Sequence, residues 1–288
     1  GLMRGLSLDQ LCNAFGIAAA LLPVCPFVSF VEGADTKDLY GGWGVHLAMF
    51  AVDAAQRGLT GAEHVLDGIK SLNTVFQGDA GKEIALGEPY LINWLSIKQY
   101  PACFAVNPAV NAAFALQEKY NIDTAEIESV LVDSYPYSYD LNNGVGRDPN
   151  TTSGRLSLYY TVAVALIERS LTPDAFTAEK LKDPKYAELR GKITAKRHDA
   201  YGDGPKGIRA CILEVHMKDG RVYQTEYNAT DVHVVYSDEM LYEKYCGLTR
   251  DALAPDQQRD LYDYAMALAK QENLSYLLNM MRRLPKIR

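Results

Sequence analysis

The chain has 288 residues, 48% of them apolar and 23% charged, with a formal net charge of −7. A chain of this length buries a sizeable core, as one large domain or two medium ones. The acidic balance excludes a nucleic-acid binder, which needs a clustered Lys/Arg surface; the one basic cluster, "MMRRLPKIR", reads as a solvated end.

Helix signals come first. Ser7 and Gln10 form a capping box, and Leu11, Phe15, Ala18 and Leu22 recur at helical spacing until Pro23. The longest apolar run, "GIAAALLPVCPFVSFV", is broken by Pro23 and Pro26, falls short of the roughly 18 residues of a membrane span, and lacks a signal peptide's basic start. A second helix is expected from Gly44 to Arg57, with Val45, Met49 and Val52 on one face and Gly58 after it. A third is expected from the "TGAE" box at Thr60 to near Gly68.

The pattern then mixes. Asn107 and Pro108 make an N-cap and first-turn pair for a helix through Ala109, Ala113, Leu116 and Tyr120. "EIESVLVDSY" reads as a strand. "RLSLYYTVAVALIER" is apolar nearly all round and reads as a buried helix. "KITAKRH", "RACILEVHM" and "RVYQTEYN" read as strands, the last two joined at Asp219-Gly220, with "YGDGPKG" as a loop. Helices return from Ser237: "SDEMLYEKYCG", "PDQQRDLYDYAMALAKQ" and a final amphipathic piece. The expected fold class is mostly α with an inserted α+β domain carrying a small antiparallel sheet. Its expected parts are a helical segment over 1–92, the α+β domain over 93–232, and a return to helix over 233–288.

Cys12, Cys25, Cys103, Cys211 and Cys246 are odd in number and widely spaced, the pattern of buried thiols in a reducing, cytoplasmic compartment. His46, His64, His198, His216 and His233 show no metal-ligand spacing, and no phosphate-binding glycine loop is present, so neither a metal nor a nucleotide cofactor is expected. Two lysine-bearing stretches remain. Lys37 stands before Gly41-Gly42, where backbone can approach a ligand at the start of a helix; Lys98 stands before the bend "QYPAC". Each alone also fits a solvated lysine on a loop.

Together these stretches resemble the MmgE/PrpD family, which includes 2-methylcitrate dehydratase, cis-aconitate decarboxylase and iminodisuccinate epimerase. "TKDLYGGWGVHLAMFAVDAAQRGLTG" is similar to its K-x-x-H/Y-x-G segment and following helix, and "IKQYPACFAVNPAV" to its K-x-[FY]-P-x-[CH] lid segment. "NTTSGRLSLYYTVAVALIE" is similar to its A-R-x-S-x-x-Y helix. The resemblance implies a helical domain plus a lid, and chemistry at a carbon beside a carboxylate of a small di- or tricarboxylic acid. Lysines suit this: one holds a carboxylate while another, desolvated beside a cation, exchanges a proton.

By resemblance Lys37, Lys98 and Cys103 are the catalytic candidates, and Tyr40, Asn107 and Arg155 the substrate-binding ones. Structural alternatives stand beside them: a packed thiol for Cys103, a helix N-cap for Asn107, a structural ion pair for Arg155. Tyr40, Cys103 and Asn107 stand where relatives often carry histidine, which favours a dehydratase or epimerase over the decarboxylase. His46 is the one other histidine to watch. The resemblance also implies a homodimer, and a match to only the C-terminal part of longer relatives. Either the chain is then a fragment, or a separate N-terminal half chain supplies further groups and this chain without it is a structural subunit.

Overall fold

The computed structural model describes residues 1–24, 28–67, 69–76, 87, 90–95, 97–143, 150–202, 208–229 and 236–283. Cys25, Pro26, Gly68, His233, residues 203–207 of the expected loop and the end of the basic tail lie outside them. The chain forms two compact units, Gly1–Thr230 and Asp231–Arg288.

In the first unit, helix α1 (Leu8–Ala20) starts as expected, with both halves of the Ser7–Gln10 capping box formed. A short α2 (Val28–Val31) follows, and then α3 (Tyr40–Gln56), which begins four residues before the expected Gly44. Neither long helix buries the expected stripe. Ala14 and Ile17 of α1 pack against Ala51 and Ala55 of α3, whereas Phe15, Leu22, Val45 and Met49 are exposed. Small side chains let the two backbones approach closely. Residues 63–67 form turns rather than the third helix. There Gly61 donates its N–H to Asn13 Oδ1 and lies so close to α1 that a Cβ would sit 2.4 Å from the Asn13 carbonyl oxygen. Helical geometry at 60–63 gives way to that contact. A single-turn α4 (Leu72–Val75) follows.

Helix α5 (Asn107–Tyr120) opens one residue earlier than expected. Val106 is its N-cap, Asn107 is the first helical residue, and no side-chain cap bond forms. Strand β1 (Ile127–Ser134) leads to α6 (Pro136–Asn142) and α7 (Leu158–Glu168). Every residue of α7 from Leu158 to Leu166 is buried, as its all-round apolar sequence requires. Ser157 caps it by accepting from the Tyr160 N–H, so Arg155 lies not in the helix but in the 3-10 turn Ser153–Arg155. Helices α8 (Ala178–Lys182) and α9 (Pro184–Gly191) precede β2 (Ile193–Arg197), then the hairpin β3 (Ala210–Met217) and β4 (Val222–Asn228). The hairpin turns at Gly220, whose φ of 87° is left-handed and favours glycine.

The sheet has the order β2-β1-β3-β4. It is mixed, not antiparallel: β1 and β2 run parallel, Val130 beside Ile193 through Ser134 beside Arg197. The helices α6 to α9 form the long connection that a parallel pair needs. Helices α5 and α7 pack against the sheet, and the main core lies there, with Val110, Leu116, Tyr160, Leu166 and Leu213 among its members. The fold is thus mostly helical with a small mixed sheet.

The second unit contains α10 (Asp238–Thr249), α11 (Pro255–Met266) and α12 (Ser275–Arg283). Ser237 caps α10, Gln258 bonds to the Cys246 carbonyl and Thr249 Oγ1, and Arg259 lies 3.7 Å from the Tyr242 ring centroid. No helix among the described residues is long and apolar enough to cross a membrane.

Candidate active site

Lys98, Pro101, Ala102 and Cys103 form one side of a cleft of about 390 Å³ in the first unit. Lys37 and Asp38 line it as well, with Thr152, Arg155, Leu156 and Pro173. Four of the six candidates, Lys37, Lys98, Cys103 and Arg155, therefore share one cavity. Tyr40 and Asn107 are not among its lining residues. Tyr40 opens α3. Asn107 is buried at the start of α5, and its Oδ1 has no hydrogen-bond partner among the described residues, so the N-cap role is not its role.

Each wall has a local cause. Lys37 rises from the 3-10 turn Asp35–Leu39, its Nζ 4.0 Å from Asp38 Oδ1. Cys103 ends the bend that Pro101 stiffens. Its N–H donates to the Arg155 carbonyl at 2.7 Å, and its own carbonyl accepts from the Val106 N–H at 3.1 Å, opening the turn Phe104–Val106. Behind it α5 and the sheet supply a rigid floor. Tyr100 packs edge-on against Phe114 and its hydroxyl donates to Asn111 Oδ1 at 2.6 Å, which pins the segment that follows Lys98 to α5.

The electrostatics oppose one another at the thiol. Burial pushes the Cys103 thiol above its ordinary value, while the Ala105 N–H and the charges of Lys98 and Lys37 pull it part of the way back. The net direction is up, so at neutral pH the group is a thiol and a proton donor, not a thiolate nucleophile. Nearby Tyr135, buried at the end of β1, has its phenol raised by burial above all, with Arg209 opposing the shift and Cys103 adding to it.

Three residues of the site carry no signal in the sequence. Thr152 lines the cleft and its hydroxyl donates to Asp35 Oδ1 at 2.7 Å. Asn150 donates through Nδ2 to the Gly33 carbonyl at 3.1 Å. Asp38 brings the one carboxylate among the described lining side chains. Their partners are 117 residues distant in the chain for Asn150 and Thr152, beyond the reach of any local pattern.

The described histidines lie elsewhere. His46 is exposed on α3 and stacks on Trp43, and His64 faces Asp67 at 3.4 Å. His198 Nδ1 lies 2.8 Å from Asp133 Oδ2, which Lys196 also meets at 3.0 Å. His216 faces Glu214 at 3.4 Å across β3. Of the described cysteines only Cys211 is buried, against the expectation of mostly buried thiols: Cys12 is exposed, and Cys103 and Cys246 are half-buried.

No curated protein matches the chain. The family model of the MmgE/PrpD C-terminal domain matches residues 100–270, which include Cys103 and Arg155 and begin two residues after Lys98. That match spans more than half of the sequence, and it takes in β1 to β4, the helices packed on them, α10 and α11. The chain belongs to the MmgE/PrpD family.

Proposed function

We propose that the chain is a lyase or epimerase acting at a carbon beside a carboxylate of a small di- or tricarboxylic acid. Membership of a family that includes dehydratases and related enzymes supports the class of reaction. The observation that carries the reading is the convergence of Lys37, Lys98, Arg155 and Cys103 on one cleft. Three cationic side chains in a confined space suit a polyanionic substrate and the negative charge that grows when a carbon acid loses its proton.

In this mechanism Arg155 and one lysine hold carboxylates, and the other lysine exchanges the proton on the neighbouring carbon. The Cys103 thiol stands as the neutral donor. Delivered to a β-hydroxyl, its proton leaves with that oxygen as water; delivered to the opposite face of the carbon, it inverts the centre. The α+β part that carries Lys98 is the lid: it and the helical part that carries Lys37 close on one another across the boundary near residue 92, and closure excludes water. Tyr40 and Asn107 remain proposed substrate contacts of that closed state. The functional form is a cytoplasmic homodimer that needs no metal.

The test is deuterium uptake at the substrate carbon in D2O, followed by proton NMR over a panel of small di- and tricarboxylic acids. Lys98→Ala and Lys37→Ala should each abolish uptake at an unchanged melting temperature. Full uptake in Lys98→Ala removes the mechanism.

A second reading has its own observation. Phe15, Trp43, Val45, Met49 and Phe50 are all exposed on α1 and α3. A partner chain that covers them, such as a separate N-terminal half, would make this chain a structural subunit. Activity appearing only on addition of that partner distinguishes the two readings.

A further inference from the structure

The two walls of the cleft meet at one short turn. Asn150 Oδ1 accepts from the Thr152 N–H at 3.0 Å and the Ser153 N–H at 2.7 Å, which folds residues 150–153 tightly. From this turn Asn150 Nδ2 reaches the Gly33 carbonyl and Thr152 Oγ1 reaches Asp35, two residues before Lys37. From its other end the Arg155 carbonyl takes the Cys103 N–H. Gly33 is shaped for the contact: its φ is 69°, and a Cβ there would lie 2.4 Å from Ser153 Cβ and 2.9 Å from Asn150 Oδ1. Thr152 and Ser153 are buried.

We propose that Asn150 and Thr152 are positioning residues, which fix the Lys37 segment on one side of the cleft while the same turn fixes Cys103 on the other. The proposal rests on reading this cleft as the active site. Neither residue needs to touch substrate. Each acts by setting where the Lys37 ammonium stands relative to the thiol, and a cation close to a thiol favours its ionised form.

That gives a readout needing no substrate: the pH dependence of Cys103 alkylation by iodoacetamide in the whole chain, followed on the Cys103 peptide by mass spectrometry so that the other cysteines do not interfere. Lys37→Met sets the full effect, an upward shift of the midpoint. Thr152→Val keeps the side-chain shape but breaks the bond to Asp35, and Asn150→Ala breaks the bond to Gly33 together with the two that fold the turn. Each should shift the midpoint upward by about half a unit, slowing alkylation about threefold at pH values below it. Thr152→Ser should restore the parent profile, which loss of packing alone would not predict. If one variant melts far below the parent, the other carries the comparison. A parental profile in a folded Thr152→Val, with Lys37→Met shifted, overturns the positioning role and leaves the active-site reading standing. A parental profile in Lys37→Met overturns the positioning role at its root, since Lys37 then does not act on the thiol, whereas the active-site reading falls on full deuterium uptake in Lys98→Ala.

Discussion

Glu168 ends α7 and ties it to the helices that follow. Its two carboxylate oxygens take Lys180 Nζ at 2.9 and 2.8 Å, Lys185 Nζ stands 3.9 Å away, and the Tyr186 hydroxyl donates to it. Tyr186 is fully buried, and its ring packs edge-on against Tyr160. Glu168→Gln keeps an acceptor for Tyr186 but removes the charge and replaces the other oxygen, an acceptor for Lys180, by an amide N–H2 that cannot accept. Hydrogen bonds to charged groups contribute about 1.5–3 kcal/mol, and Lys180 is a third exposed, so solvent screening reduces the expected loss to about 1–2 kcal/mol. Glu168→Ala also strands the buried tyrosine hydroxyl, which adds about 1–3 kcal/mol, for a total of about 2–5. For a unit of this size the melting point should fall by about 2–8 °C for the glutamine variant and about 4–20 °C for the alanine variant.

The pH dependence has a definite sign. Burial alone would raise the Glu168 carboxyl, but the hydrogen bonds from Lys180 and Tyr186, with the charges of Lys180 and Lys185, outweigh it and hold the group below its ordinary value. A carboxyl lowered in the folded state contributes fully above its unfolded value of about 4.3 and loses that contribution as pH falls through the lower folded value. Urea unfolding of parent and Glu168→Gln should therefore show a constant gap from pH 7 to 5, narrowing below about pH 4. A gap that does not change with pH, or an alanine variant as stable as the glutamine one, refutes the reasoning.

Gly33→Ala should cost about 2–4 kcal/mol, from a left-handed φ and a forced shift of the Asn150–Ser153 turn, and should move Cys103 alkylation in the direction of Thr152→Val. Gly61→Ala places a Cβ 2.6 Å from the Ile17 amide nitrogen, so hydrogen exchange should accelerate across α1 while β1 and β3 keep their protection. Gln117→Leu removes the bonds that join the ends of α5 and α7, from Nε2 to the Ile122 and Leu166 carbonyls, and should lower stability by about 1–3 kcal/mol by denaturant titration.

Much of this fold was legible because one signal dominated at each place. Ser7 with Gln10 marks a helix start by chemistry alone, Asp219-Gly220 marks a hairpin, and α7 is apolar on every face, so it had to be buried. The buried faces of α1 and α3 were misjudged because hydropathy weights large side chains, whereas the contact is made by Ala14, Ala51 and Ala55. The polar helices α8 and α9 gave little periodicity to read. The parallel pairing of β1 with β2 follows from a connection whose helices were not all visible in advance. Family resemblance singled out Lys37 and Lys98, which line one cleft; it gave no sign of Asn150 and Thr152, since a polar residue in a turn has the same composition whether or not it reaches across the fold.

The cleft has walls of unequal firmness, and this bears on how it works. Lys98, Cys103 and Arg155 stand on segments tied to α5, α7 and the sheet, where the main core lies. The Lys37 segment leads into α3, whose buried contacts with α1 rest on a four-residue cluster. Fewer buried contacts mean a lower free energy of local opening. The bonds from Asn150 and Thr152 link the segment before Lys37 to the firm wall, at about 1 kcal/mol each. Two such bonds hold a closed state at roughly thirtyfold over an open one, enough to preorganise the cleft and little enough to let it open for substrate. Amide exchange at 35–39 should accordingly run ahead of exchange in α5 and α7, and Thr152→Val should widen that difference about fivefold.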